Sequence, residues 1–343
     1  MKNIFSSIDP KSSKTTSRSQ ILFWLVVLLF VIVVFSVFLG RYPTPGLISF
    51  EKLQSDPLAQ KLVLNIRLPR ILAALLLGAS LAAAGGVFQM IFSNPLVDPG
   101  FLGVSQGAAF GAAFCIIFLG GAAWVTQLSA GFFGCLGLVL SYLIARKVRY
   151  GGWVLRLVLA GIAVSAFFSA GLGILKYIAD PLSQLQEITF WLLGGLWSTT
   201  WKKVLTILPV VLVSLFVMWK MRWRLNLLSL GDETAFSLGL APGRERTILL
   251  IAGVAATSAV ISVAGMVSWI GLIIPHIARR IFGADSRYMI PASILIGAIF
   301  SILCDDLGRV LVSSEIPLGI ITSLIGAGIF AYIMITQKVP TQK

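Results

Sequence analysis

The chain has 343 residues, of which 57% are hydrophobic and only 12% charged, with a mean hydropathy of +0.95. This composition excludes a soluble globular enzyme and predicts an all-α, polytopic membrane protein. The net charge of +14 does not point to nucleic acid as a partner, because the basic residues fall in clusters between apolar runs and form no single basic face.

Residues 1–20 are rich in Ser, Lys and Thr and read as a disordered cytoplasmic tail. Ile21 to Leu39 is nearly unbroken Leu, Ile, Val and Phe, too long for a signal peptide and without a small-residue cleavage site, so it is expected to stay as the first span. Lys2, Lys11, Lys14 and Arg18 precede it and place the amino terminus in the cytoplasm. Arg67-Leu-Pro-Arg70 opens a second span to about Ile91, with Pro69 in the first turn, where its missing N–H costs nothing. Ser93 to Gly100 is a tight turn, and a third span climbs from it to about Gly120. Its Gly103, Gly107 and Gly111 fall four apart and allow close approach of a helix, either from the same chain or across a dimer.

A fourth span, Val125 to Ala145, ends in the basic cluster Arg146, Lys147 and Arg149, which belongs in the cytoplasm. The fifth ends near Tyr177, and Asp180 to Trp201 is an external stretch with room for a short interfacial helix. Lys203–Met221, Thr247–Val263, Gly265–Phe282, Tyr288–Cys304 and Leu318–Ile335 complete about ten spans, with both termini cytoplasmic. The membrane domain is thus 21–337, followed by a cytoplasmic tail at 338–343. Cys115, Cys135 and Cys304 are odd in number and lack metal-ligand spacing, so they read as small core residues.

The longest polar interruption, 222–246, is bracketed by Arg222, Arg224, Arg244 and Arg246 and should face the cytoplasm. Ser229 is expected to cap a short helix with Asp232 and Glu233 in its first turn, and Gly239 and Pro242-Gly243 to stop it. A compact helical knob on that side suits a partner that pushes on it. An ordinary interhelical loop is the alternative.

No G-x-x-x-x-G-K-[ST] loop, H-E-x-x-H or G-x-S-x-G occurs, so any use of ATP requires a separate subunit and no enzyme, metal site or cofactor is indicated. The single histidine, His276, reads as a hydrogen-bonded structural residue. Asp180, Glu187, Asp305, Asp306 and Glu315 fall at span ends, which disfavours a proton-coupled carrier. Backbone carbonyls can hold sodium, so a stand-alone secondary transporter or channel stays as the rival class.

Several stretches together resemble the FecCD-type permeases of bacterial and archaeal ABC importers. They are Arg67-Leu-Pro-Arg70, Asn94-Pro-Leu-Val-Asp-Pro-Gly-Phe-Leu-Gly-Val-Ser105, Leu230-Gly-Asp with Ser237-Leu-Gly-Leu240, Gly271-Leu-Ile-Ile-Pro-His276 and Glu315-Ile-Pro-Leu-Gly319. They follow the family's order from about Ile21 to the carboxyl end. The resemblance implies a homodimer, or a heterodimer of related subunits, with two cytoplasmic ATPases. It further implies an external substrate-binding protein that delivers iron-siderophore complexes, haem or cobalamin. Leu230, Gly231, Asp232, Glu233, Ser237, Leu238, Gly239 and Leu240 match the family's ATPase-coupling helices. Asn94 and Leu96 match a cytoplasmic gate, and Val154 and Leu155 align with a second gate position where the cobalamin member has small hydroxyl residues, a departure that argues against cobalamin. Arg67, Arg70 and Arg309 sit at external span ends, where the positive-inside rule gives no reason for arginine. Headgroup contact is one explanation, and the resemblance implies that they dock glutamates on the binding protein. Asp305 and Asp306 are expected to hold Arg309 in place, Asp305 preceding it by four residues on the same helical face.

Overall fold

Apolar chain in a bilayer must satisfy its backbone groups internally, which it does as helix. The computed structural model describes residues 10–42, 44–312 and 314–336 and is helical apart from short connections and a two-residue strand pair, Leu39–Gly40 against Gly46–Leu47. Helix α1 (Pro10–Phe38) starts inside the segment read as a disordered tail. Once an apolar span has nucleated a helix, each further residue adds a hydrogen bond, and the Ser/Lys/Thr stretch contains nothing that stops propagation before Pro10. The first residues of that tail and the expected tail at 338–343 lie outside the described residues.

Short helices α2 (Phe50–Ser55) and α3 (Pro57–Leu62) and a π-turn at Val63–Arg67 lead into α4 (Leu68–Ile91). Next come α5 (Val104–Phe118), α6 (Ala123–Lys147) and α7 (Trp153–Ile178), then α8 (Gln184–Leu193), the short helix foreseen in the 180–201 stretch. The chain continues through α9 (Trp201–Lys220), α10 (Arg222–Leu228), α11 (Asp232–Ser237) and α12 (Pro242–Ala264). It ends with α13 (Ile270–Phe282), α14 (Ser286–Leu311) and α15 (Leu318–Thr336). Eight of these segments are long and apolar enough to cross a membrane. Helix α5 has 15 residues, about 22 Å at ~1.5 Å per residue, and α13 has only 13.

Three boundaries differ from expectation for identifiable reasons. Helix α13 begins at Ile270 and not at Gly265, because Gly265 (φ 70°) and Trp269 (φ 75°) hold the chain out of helix. Pro242, expected to stop a helix, starts α12 from a first-turn position that needs no donor. Helix α14 runs past Cys304 to Leu311, carrying Asp305, Asp306 and Arg309 inside the bundle.

Helix α4 is the central pillar: 89% of its apolar stretch is buried, against 11% for α1 at the periphery. Helices α9, α12, α13 and α14 surround it. Its approach to α14 is so close that a Cβ on Gly78 would overlap the Gly297 carbonyl. Helices α5, α6 and α7 pack together beside this core. The glycine stripe is used within the chain, since a Cβ on Gly107 would overlap the Phe133 carbonyl of α6. Gly103 itself lies outside the helix, as its left-handed N-cap (φ 82°). Cys115 and Cys304 are buried as expected, whereas Cys135 is exposed on α6.

Long-range hydrogen bonds sort the connections onto two ends of the bundle. At one end Arg67 reaches the carbonyl of Phe38, Arg309 that of Ser36, and the Trp201 indole donates to the Leu64 carbonyl. At the other, Asn226 donates to Asp285 and Arg222 to the Arg287 carbonyl.

Candidate functional site

The 222–246 loop is built as a knob. Helix α10 ends at Ser229, whose hydroxyl donates back to the Asn226 carbonyl at 2.7 Å, so Ser229 closes α10 and does not cap α11 as expected. The N-cap of α11 is Gly231 at φ 96°, followed by Asp232 and Glu233 in the first turn. Gly239 (φ 84°) ends the element, and its N–H donates to the Phe236 carbonyl at 2.9 Å. Neither glycine has a neighbour where a Cβ would stand, so each serves backbone conformation and not packing. Leu230, Phe236 and Leu238 are exposed at 56%, 72% and 56%, an apolar tip of the kind a protein partner covers.

The base of the knob is tied down. Asp285 caps α14 at the Arg287 N–H (3.0 Å) and accepts from the Asn226 amide at 2.8 Å. Burial alone would raise the Asp285 carboxyl, but the hydrogen bonds from Arg287 and Asn226 outweigh it and hold the pKa at about 2. Arg224 pairs with Glu245 at 2.6 Å, and Arg246 pairs with Asp232 at 2.6 Å.

The two expected gate positions lie beside each other. The Asn94 side chain accepts from the Leu96 N–H at 2.9 Å, an Asx turn that leaves Leu96 56% exposed. In the first turn of α7 Val154 packs into the core while Leu155 is exposed. The rings of Phe92, two residues before Asn94, and Trp153, next to Val154, stack with centroids 6.4 Å apart. The Arg246 guanidinium lies 5.7 Å above the Trp153 ring. A continuous chain of contacts therefore runs from Asp232 on the knob through Arg246 and Trp153 to Phe92 and the Asn94–Leu96 turn. Sequence reasoning missed Glu245, Arg246 and Trp153 as linking residues, and no local signal marks them, since their partners are distant in sequence.

Arg67, Arg70 and Arg309 converge on one cavity of about 190 Å³, which Arg41 and Glu315 also line. They are not exposed rim charges, as expected, but buried, with 6–7% exposure. Arg70 engages both oxygens of Asp305 at 2.9–3.1 Å and Glu315 at 2.9 Å. Asp305 is thus taken by Arg70, and it is Asp306, three residues before Arg309, that pairs with Arg309, together with Ser36. Among the described residues Arg67 has only carbonyl partners, on Val37, Phe38 and Tyr42. His276 is held by its own helix, Nδ1 meeting the Leu272 carbonyl at 2.8 Å, and its ring lies edge-on to Phe330. No group of metal-ligating side chains occurs among the described residues.

A polytopic helical bundle that carries an exposed apolar knob at one end and a charged cavity at the other has the form of a membrane transport protein. The FecCD transport family matches residues 28–336, and the chain belongs to it. The molybdate import permease MolB of Haemophilus influenzae is 37% identical over 94% of this chain and 97% of its own length. The Fe(3+)-citrate import permease YfmE of Bacillus subtilis is 37% identical over 94% of this chain and 98% of its own. A solved inward-facing metal-chelate type ABC transporter superposes with a TM-score of 0.86 at 36% identity, covering 93% of this chain and 100% of that one. The protein is therefore an ABC importer permease of the cell membrane, not an enzyme, from a family that works with ATPase and substrate-binding partners.

Proposed function

We propose that the chain forms the transmembrane pathway of an ATP-driven importer for an iron-siderophore or a related metal chelate, working by alternating access. The observation that carries this reading is the knob at 230–240, whose apolar residues are exposed while its base is fixed by ion pairs. A tip without neighbours on a rigid base transmits a push, whereas a floppy loop absorbs it. Ten spans with both termini cytoplasmic are supported by the sorting of connections onto two ends, with α5 and α13 as short spans. Two permease subunits, two ATPases and an external binding protein complete the assembly in this reading.

ATP-driven closure of the ATPases would shift the knob, and the contacts through Arg246 and Trp153 would bear on the Asn94/Leu96 and Val154/Leu155 turns as the gate. At the other end, docking by the arginine cluster takes a different form from a rim of free charges. Arg70 and Arg309 are committed to carboxylates within the chain, so of these three it is Arg67, which has no carboxylate partner among the described residues, that is left to meet an acidic residue entering the cavity, with Arg41 beside it. Cells lacking their own ferric-chelate importers, given this chain with its ATPase and binding protein, should accumulate radiolabelled iron supplied on a siderophore. The MolB relative supports molybdate as a second cargo reading, and uptake of labelled molybdate with none of iron would reassign the cargo. Haem and cobalamin are scored in the same assay.

A further inference from the structure

A recess of about 440 Å³ opens where α9 ends and α10 begins, lined by Trp219, Lys220, Arg222, Trp223, Arg224 and, from the start of α14, Arg287. Its cations outnumber its anions. Arg224 and Arg287 are matched by Glu245 and Asp285, but among the described residues neither Lys220 nor Arg222 has a carboxylate within ion-pair distance. Arg222 is also held in place: it donates to the Trp219 carbonyl at 2.7 Å and the Arg287 carbonyl at 3.2 Å, and its guanidinium lies 4.4 Å from the Trp219 ring centroid. A guanidinium fixed this way loses little entropy when it binds an anion.

The surroundings define the anion. Along the last turns of α9, Leu212, Val213, Phe216 and Trp219 are all exposed and apolar, a face suited to acyl chains, and the Phe216 ring lies 6.1 Å from that of Trp219, which lines the recess. Exposed tryptophans between an apolar helix face and a basic cluster mark the headgroup level of a bilayer. Basic pockets at the cytoplasmic ends of membrane helices are suited to anionic lipid headgroups.

We propose that this recess is a binding site for an anionic phospholipid, with its phosphodiester between Lys220 and Arg222 and its acyl chains against Phe216 and Trp219. The proposal rests on the reading that this end of the bundle is cytoplasmic. The bound lipid anchors the root of α10, and so the base of the knob, to the membrane surface.

The test uses the full chain, alone and assembled with its ATPase, in nanodiscs of phosphatidylcholine with added phosphatidylglycerol. Native mass spectrometry of the wild type should show phosphatidylglycerol retained in preference to phosphatidylcholine, including after ATPase assembly, and excess glycerol phosphate should not displace it. Each cation near a membrane surface contributes about a fivefold factor, so Lys220→Gln with Arg222→Gln should lower the preference roughly 25-fold. The same pair of changes at Arg146 and Lys147 should not. Equal retention of both lipids by the wild type overturns the proposal without any variant having to fold. Loss of the lipid on ATPase assembly assigns the recess to the subunit interface, and displacement by glycerol phosphate makes it a soluble-phosphate site; either result also overturns it. Protease protection of the 222–246 loop in sealed vesicles tests the orientation separately.

Discussion

Asp305→Asn should be among the most damaging single changes at the arginine cavity. The Arg70 guanidinium makes three contacts with Asp305 at 2.9–3.1 Å, and both side chains are buried, at 8% and 3% exposure. Neutralising Asp305 leaves Arg70 with Glu315 alone, whose side chain is 37% exposed. Breaking one partner of a buried pair costs about 3–5 kcal/mol; with Glu315 still bound, the expected loss is about 2–3 kcal/mol. Glu315→Gln should cost less, about 1 kcal/mol or under, because water reaches that carboxylate. Replacing the pair together, Arg70→Met with Asp305→Leu, should recover much of the loss, since no charge is then stranded. Equilibrium unfolding in detergent, followed by circular dichroism, measures all three variants. Asp305→Asn as stable as the wild type, or a double variant less stable than Asp305→Asn, would refute the buried-pair account.

Gly239→Pro cannot hold φ 84° and loses the N–H bond to Phe236, a local cost of ~3 kcal/mol; it should leave ATPase assembly intact while transport falls, and unimpaired transport in vesicles would remove the coupling role. Single cysteines at Asn94 or Leu96, in a background with the exposed Cys135 replaced by Ser, should crosslink two permease subunits on oxidation; no crosslink in any nucleotide state would move the gate elsewhere. The Asp285 carboxyl titrates at about 2 in the folded chain, below its ordinary value near ~3.9. A depressed carboxylate stabilises above the unfolded pKa and loses that contribution as pH falls through the folded one. The stability gap between wild type and Asp285→Asn should therefore be constant above about pH 5 and close between about pH 4 and pH 2. A gap that varies between pH 6 and 8 would contradict the assigned hydrogen bonds.

The spans were legible because apolar runs and basic clusters are local signals, and eight of the expected spans appear as long apolar helices. Boundaries failed where a local rule had two outcomes. Pro242 can end a helix or begin one, and only the turn at Gly239–Ala241 decides for α12. Asp305 and Arg309 looked like an i, i+4 pair, yet the partner that claims Asp305 is Arg70, far away in the chain, and no period in the sequence encodes it. The same holds for Arg246, a topology signal by sequence and a link between Asp232 and Trp153 in the fold. The knob was readable as a short helix stopped at Gly239, although the residue that starts it is Gly231, through its positive φ, and not Ser229.

The most direct test of the account is uptake into proteoliposomes of a ferric chelate presented with its binding protein. Vesicles containing the chain and its ATPase should accumulate iron when ATP is supplied on the cytoplasmic face, and should fail when either the ATPase or ATP is omitted. Accumulation driven by a sodium or proton gradient in vesicles containing this chain alone would contradict the account and make the protein a secondary transporter.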